Sequence, residues 1–132
     1  MAPQIWRDVE ELLRYMAKNW SFDHDDPFME KAISVNATVP GGDTPLHFVA
    51  MWDDVRGIEL LVQAGAEVDA LGDMSYTPLA TAVRKGNVAA AQALLRHGAS
   101  PHVRTEFGHT PYQLAMREGS EEMKEAFGDC AT

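Results

Sequence analysis

Three short segments recur in this chain at one fixed step. Thr44-Pro45-Leu46-His47, Thr77-Pro78-Leu79-Ala80 and Thr110-Pro111-Tyr112-Gln113 stand 33 residues apart, with no insertion between them. A constant period of this size describes stacked supersecondary units, each covering its neighbour's apolar face. It also sorts the residues. Those that recur in phase build the stack, and those that change at one phase are free to carry specificity.

The third unit reads most clearly. Thr77-Pro78-Leu79 opens a helix, with Pro78 in the first turn, where its missing N–H has no partner to lose. Leu79, Ala82 and Val83 share a face. Gly86-Asn87 supplies a tight turn, because both residues tolerate a left-handed backbone. A second helix runs from Val88 with Ala90, Ala91, Leu94 and Leu95 inward, and Gly98 suits the position just past its end. The segment from Ser100 to His109 then leads to the next Thr-Pro pair.

The pattern Thr-Pro-Leu-x-x-Ala, Gly-Asn, Leu-Leu-x-x-Gly-Ala over Thr77 to Ala99 resembles an ankyrin repeat. The second unit matches at Thr44-Pro45-Leu46-His47, Ala50, Ile58, Leu61, Val62 and Gly65-Ala66. The fourth matches at Thr110-Pro111, Leu114-Ala115 and Gly119-Ser120. One period before Thr44 the Thr-Pro pair is missing, yet Leu13, Met16 and Ala17 keep the phase of Leu46, Val49 and Ala50. Phe28-Met29 and Val35-Asn36-Ala37 keep it too. The resemblance implies an all-α ankyrin-repeat solenoid of helix-turn-helix units with β-hairpin-like connecting loops. Its expected divisions are a degenerate capping repeat over 1–43, repeats over 44–76 and 77–109, and a truncated cap over 110–132. The first helix is expected to begin near Gln4, with Ile5, Val9, Leu12, Leu13, Met16 and Trp20 at helical spacing. Asp26 before Pro27 has the form of a further helix start.

Two departures from the pattern bear on packing. Asp53-Asp54 replaces the Gly86-Asn87 turn, and Gly57 falls where Ala90 is buried one unit later. Either Trp52 or a neighbour fills that space, or the helix starts a turn late. Only His47 keeps the family's helix-opening histidine, since Ala80 and Gln113 replace it. The resemblance gives that side chain hydrogen bonds within and between loops, so the third and fourth units are expected to hold their loops less firmly.

Composition narrows the function. Hydrophobic residues make up 45% of 132 residues, enough for a core. Twenty acidic against eleven basic residues give a net charge of −9, which disfavours nucleic acid and favours basic proteins. The amino terminus lacks a charged leader before an apolar stretch, and no apolar run approaches membrane-spanning length. A lone Cys130 fits a reducing compartment. The expectation is a cytoplasmic protein with no membrane partner.

Signals for chemistry are sparse. There is no phosphate-binding glycine loop, no His-Glu-x-x-His and no Gly-x-Ser-x-Gly. Cys130 lacks the context of a nucleophile. His97 suits the last turn of a helix. His102 shares the phase of Asn36 and Asp69. His102 and His109 can approach across one hairpin, but two ligands without a third rarely hold zinc. Asp23-His24-Asp25-Asp26 reads as a solvated linker ending in a cap, without the spacing of a calcium loop. No cofactor and no catalysis are expected.

What the resemblance implies instead is a protein-binding face made of loop tips and the exposed sides of the first helices. Carried over by phase, that face takes Gly41, Asp43, Met51 and Trp52 from the second unit. The third gives Asp73, Met74, Tyr76, Arg84 and Lys85, and the fourth Glu106, Phe107, His109, Arg117 and Glu118. Trp52, Tyr76 and Phe107 are rings where the repeat asks for none, and interfaces favour aromatics and methionine. Trp52 either meets a partner or folds back over Gly57, and Phe107 either meets a partner or packs between loops. Tyr76 is expected in solvent, because its phase equivalents Asp43 and His109 are polar. Arg84, Lys85 and Arg117 form a basic island, serving as an ion-pairing site or a solvated helix end. Trp6 and Trp20 read as cap packing.

The expected function is therefore a non-catalytic module that binds another protein. A narrower alternative is an acidic inhibitor that covers a basic toxin or enzyme. A reading of another class is a metal-binding or enzymatic protein using His24, His102 or His109.

Overall fold

The computed structural model describes residues 6–20, 22 and 33–128 of the chain. The expectations placed on Gln4 and Ile5, on Asp23-His24-Asp25-Asp26, on Phe28-Met29 and on Cys130 lie outside these residues. Among the described residues there are seven α-helices and no strand: α1 (Val9–Asn19), α2 (Pro45–Met51), α3 (Val55–Gln63), α4 (Pro78–Lys85), α5 (Val88–Arg96), α6 (Pro111–Glu118) and α7 (Glu121–Ala126).

Each Thr-Pro pair starts a helix as the sequence predicts, with threonine as cap and proline in the first turn. The Thr77 and Thr110 hydroxyls accept from the amides of Ala80 and Gln113, both at 3.1 Å. Such caps satisfy amides that no helical carbonyl can reach. The helix pairs then pile in two rows, α2, α4 and α6 in one and α3, α5 and α7 in the other. Leu46, Val49, Ile58, Leu61, Leu79, Ala82, Ala91 and Leu94, which recur in phase, are buried between them.

The connecting loops are hairpin-like and repeat in detail. The amide of Val39 donates to the carbonyl of Asp43, Gly72 to Tyr76 and Thr105 to His109, at 3.0, 2.8 and 2.8 Å, and each position is 33 residues beyond the one before. Adjacent units are tied by carboxylate and amide side chains. Asn36 Oδ1 accepts from the Glu67 amide, Asp69 Oδ1 from Ser100 and Asp43 Oδ1 from Asp73, all at 2.9 Å. Asp53 adopts the left-handed turn, with φ at 58°, and its Oδ1 caps the amide of Ala90 at 2.9 Å. Its strain is thus coupled to a bond between units.

The space at Gly57 belongs to a neighbour. A Cβ there would stand 2.6 Å from Val49 Cγ1 and 2.7 Å from Asp54 Oδ2, and α3 starts on time at Val55 with Asp54 as its cap. Trp52 turns instead toward the first unit, where Tyr15, Trp20, Phe22, Phe48 and Trp52 form a chain of tilted and edge-on rings. Offset and edge contacts of this kind suit the quadrupole of the rings.

One expectation for the first helix is corrected. Trp6 and Asp8 are not helical, and α1 begins at Val9, because the Asp8 carboxylate caps the amide of Glu11 at 2.9 Å. Trp6 is buried by another route. Its Nε1–H donates to Asp54 Oδ2 at 2.6 Å, and its ring leans on Tyr15. Arg56 completes the clasp by donating to the carbonyls of Trp6 and Arg7.

Candidate protein-binding groove

The residues that vary between the third and fourth units meet at a groove. Its volume is about 730 Å³, and it is lined by Tyr76, Val83, Arg84, Lys85, Gly86, Phe107, His109, Leu114, Glu118, Gly119 and Ser120. Val83 from α4 and Leu114 from α6 are apolar and largely buried, while Arg84, Lys85 and Glu118 project from the exposed sides of the same helices. Gly86 and Gly119 follow the two helices at equivalent phase and line that end of the groove; a Cβ at Gly119 would press on the Ala115 carbonyl and on Met123.

Six of the residues singled out from the sequence come together here: Tyr76, Arg84, Lys85, Phe107, His109 and Glu118. Arg117 stands at the edge, with its Nη1 3.4 Å from His109 Nδ1. Phe107 is 58% exposed, so of its two alternatives the packed one is set aside. Met74 is 48% exposed on the neighbouring loop tip, beside Asp73 and Glu106. The Glu106 amide donates to the Met74 carbonyl at 2.9 Å, which locks the two tips together.

Tyr76 corrects the expectation that it stands in solvent. It is 8% exposed, with its ring beneath Arg84 and its hydroxyl accepting from Arg84 Nη1 at 2.8 Å. The guanidinium carbon sits 5.6 Å from the ring centroid, a cation–π geometry that holds the arginine in place. The tyrosine thus shapes the groove wall by fixing Arg84.

The second unit contributes little to this groove. Met51 and Trp52 are half-buried at the end of α2, where the Met51 carbonyl accepts from Asn87 Nδ2. Asp43 is half-buried and engaged by the Asp73 amide. Gly41 is exposed in its loop with φ at 102°. The sequence reading missed Val83, Leu114, Gly86, Gly119 and Ser120. Val83 reads as the inner face of a helix and Leu114 as a match to the repeat, and both are buried as well as lining the groove; the paired glycines were the available signal.

The histidines divide by environment. His47 is 1% exposed, and its Nδ1 accepts from the Thr44 amide at 3.0 Å while its Nε2 faces the Tyr76 carbonyl at 2.8 Å. The amide donor makes Nδ1 the acceptor and places the proton on Nε2. Burial, the largest influence, pushes the imidazole below its ordinary pKa, against the opposing pull of the Tyr76 carbonyl and Asp43. His102 stands near the ring of Tyr112, and His24 lies outside the described residues. Among the described residues, no three His, Cys, Asp or Glu side chains gather as metal ligands, and no helix is long and apolar enough to cross a membrane.

Paired helices in two rows, joined by hairpin loops that repeat hydrogen bond for hydrogen bond, define a solenoid repeat protein. Two family profiles match it: one described as ankyrin repeats (many copies) over residues 61–115, the other as ankyrin repeat over residues 41–73. The chain belongs to the ankyrin repeat family. Members of this family are in general protein–protein interaction modules rather than enzymes.

Proposed function

We propose that this chain binds a protein partner through the groove between α4 and α6 and the adjoining loop tips. The observation that carries this reading is the convergence on one groove of residues that the repeat does not require: Arg84, Lys85, Phe107, His109 and Glu118. Phe107 is the exposed aromatic anchor, Tyr76 positions Arg84, and Met74, Asp73, Glu106 and Arg117 form the rim. A preformed groove on a stacked scaffold loses little freedom on binding, which favours affinity from a modest area. Asp43, Met51 and Trp52 serve the stack in this reading.

The test is comparative capture. Wild-type chain and a Phe107→Ala variant are immobilised in parallel, and circular dichroism confirms that both are folded. A partner held by the groove is retained by the first and lost from the second. Equal retention by both removes the groove from the reading.

The net charge of −9 favours a second, narrower reading, an inhibitor that covers a basic enzyme or toxin in the cytoplasm. Equimolar chain should then suppress the activity of the captured enzyme, and unchanged activity rejects the inhibitor role.

A further inference from the structure

From the groove described above, and resting on the proposal that it is a protein-binding site, we propose that its occupant is an acidic peptide segment. Aspartate or glutamate side chains of that segment meet Arg84, Lys85 and Arg117, and an adjoining apolar side chain packs on Phe107 and Met74.

Charge gives the first argument. Acidic residues outnumber basic ones twenty to eleven, so a cation on this surface has carboxylates in excess to choose from. Among the described residues, Arg7, Arg14 and Lys124 take them, pairing with Glu11, Glu10 and Glu121. Of the described cations with no such pair, Arg56 and Arg104 donate to backbone carbonyls, and Lys18 and Arg96 lie elsewhere on α1 and α5; the other three are Arg84, Lys85 and Arg117. They gather instead at one groove, where the carboxylate of Glu118 stands apart from them without a bond. A bound acidic segment supplies the missing anions, and complementary charge of this kind fixes partner choice and orientation.

The state of Arg84 gives the second. Its bond to the Tyr76 hydroxyl and its seat over that ring use one edge of the guanidinium. The remaining N–H donors form a planar fork that suits a carboxylate, and little side-chain freedom is left to lose when one arrives.

Backbone strain gives the third. Met74 and Ser75 both hold positive φ, at 56° and 59°, where the second unit has Gly41 and Gly42 at the same phase. An L-residue bears a steric cost in that conformation. Met74 gains no burial in return, and the fold needs no methionine at a position that glycine fills one unit earlier. The strain presents an apolar side chain to solvent beside Phe107, and local strain of this sort belongs to binding sites.

The experiment probes the full chain with a displayed library of random dodecapeptides. Selected peptides should be enriched in Asp and Glu beside an apolar residue. Their binding should weaken about tenfold in an Arg84→Gln/Lys85→Glu variant and fall with added salt, as expected when the ions stay partly solvated. Selected peptides that are neutral or basic, or an absence of any enrichment in acidic residues, overturn the proposal. If such peptides are still lost on Phe107→Ala, the groove stands and only its acidic occupant is removed. If they ignore both variants, the groove reading falls as well.

Discussion

The Nε2–H of His47 donates to the carbonyl of Tyr76 across 2.8 Å, bridging 29 residues and joining the start of α2 to the hairpin of the next unit. The same ring accepts the Thr44 amide on its other side. One buried side chain thus closes a helix cap within its unit and a loop contact between units.

Replacing His47 with alanine should leave the Thr44 amide without a partner and the Tyr76 carbonyl with the Gly72 amide alone. The expected cost is about 2–3 kcal/mol, because a buried amide then bears its full desolvation. His47→Gln should recover part of it. Gln113 makes the equivalent cap, accepting from the Thr110 amide at 3.0 Å. Urea unfolding of the two variants checks the order.

Stability should also depend on pH through this residue. Its folded pKa lies below the ordinary histidine value of about 6.5. Between the two values the unfolded chain binds the extra proton, so the contribution is full above pH ~6.5 and is lost as pH falls through the folded pKa. Urea titrations at pH 7.5 and 5 should show wild type losing more stability on acidification than His47→Gln. Equal losses contradict the assignment.

Gly72→Ala tests how closely the bridge is packed. A Cβ at position 72 would stand 2.7 Å from His47 Nε2 and would press on the Asp43 carboxylate as well. Overpacking of this kind costs about 1–3 kcal/mol. The φ of Gly72 is −99°, so the penalty arises from space alone. Thermal unfolding of this variant should therefore show a clear drop in midpoint.

Ser75→Gly should act in the opposite direction. Gly42 and Gly108 hold the equivalent phase with φ at 103° and 85°. Relief of the left-handed strain, less the added entropy of the unfolded chain, should leave a stabilisation of about 0.5 kcal/mol. A midpoint below wild type in urea rejects this account of the loop.

Trp6→Phe should release the amino-terminal clasp. The indole N–H bond to Asp54 is lost, while Asp54 still caps α3 through the Gly57 amide at 2.9 Å. A loss of about 1–2 kcal/mol is expected, with faster amide exchange in α1.

The stack was readable because its determinants repeat: the Thr-Pro caps, the residues inside the helix pairs and the loop glycines all answer to one period. Three features were not. Tyr76 looked solvated, since Asp43 and His109 are polar at its phase, but Arg84 roofs the ring within its own unit. Trp52 was set either against a partner or over Gly57, and the rings of the first unit give it a third contact that the period did not show. The onset of α1 was misread because the stripe of Ile5, Val9 and Leu12 runs back past Asp8, whose carboxylate is the cap. Trp6 is in fact drawn inward by Asp54, 48 residues away. Residues that face outward from a period are placed by particular neighbours, and the period itself says nothing of them. That also limited the binding site: the variable positions were visible, whereas their division into a groove and a structural remainder required contacts between α4, α6 and the loops.

All three tryptophans, Trp6, Trp20 and Trp52, sit in the first two units, joined through Tyr15 in one ring cluster. Intrinsic fluorescence therefore watches one end of the array, whereas the amide signal of circular dichroism watches every helix. In a scaffold held together by nearest neighbours the two ends can melt separately. Superimposed fluorescence and dichroism transitions would mean that the His47 bridge and its companions transmit unfolding along the whole chain; separated ones would make the groove and the tryptophan end independent thermodynamic bodies.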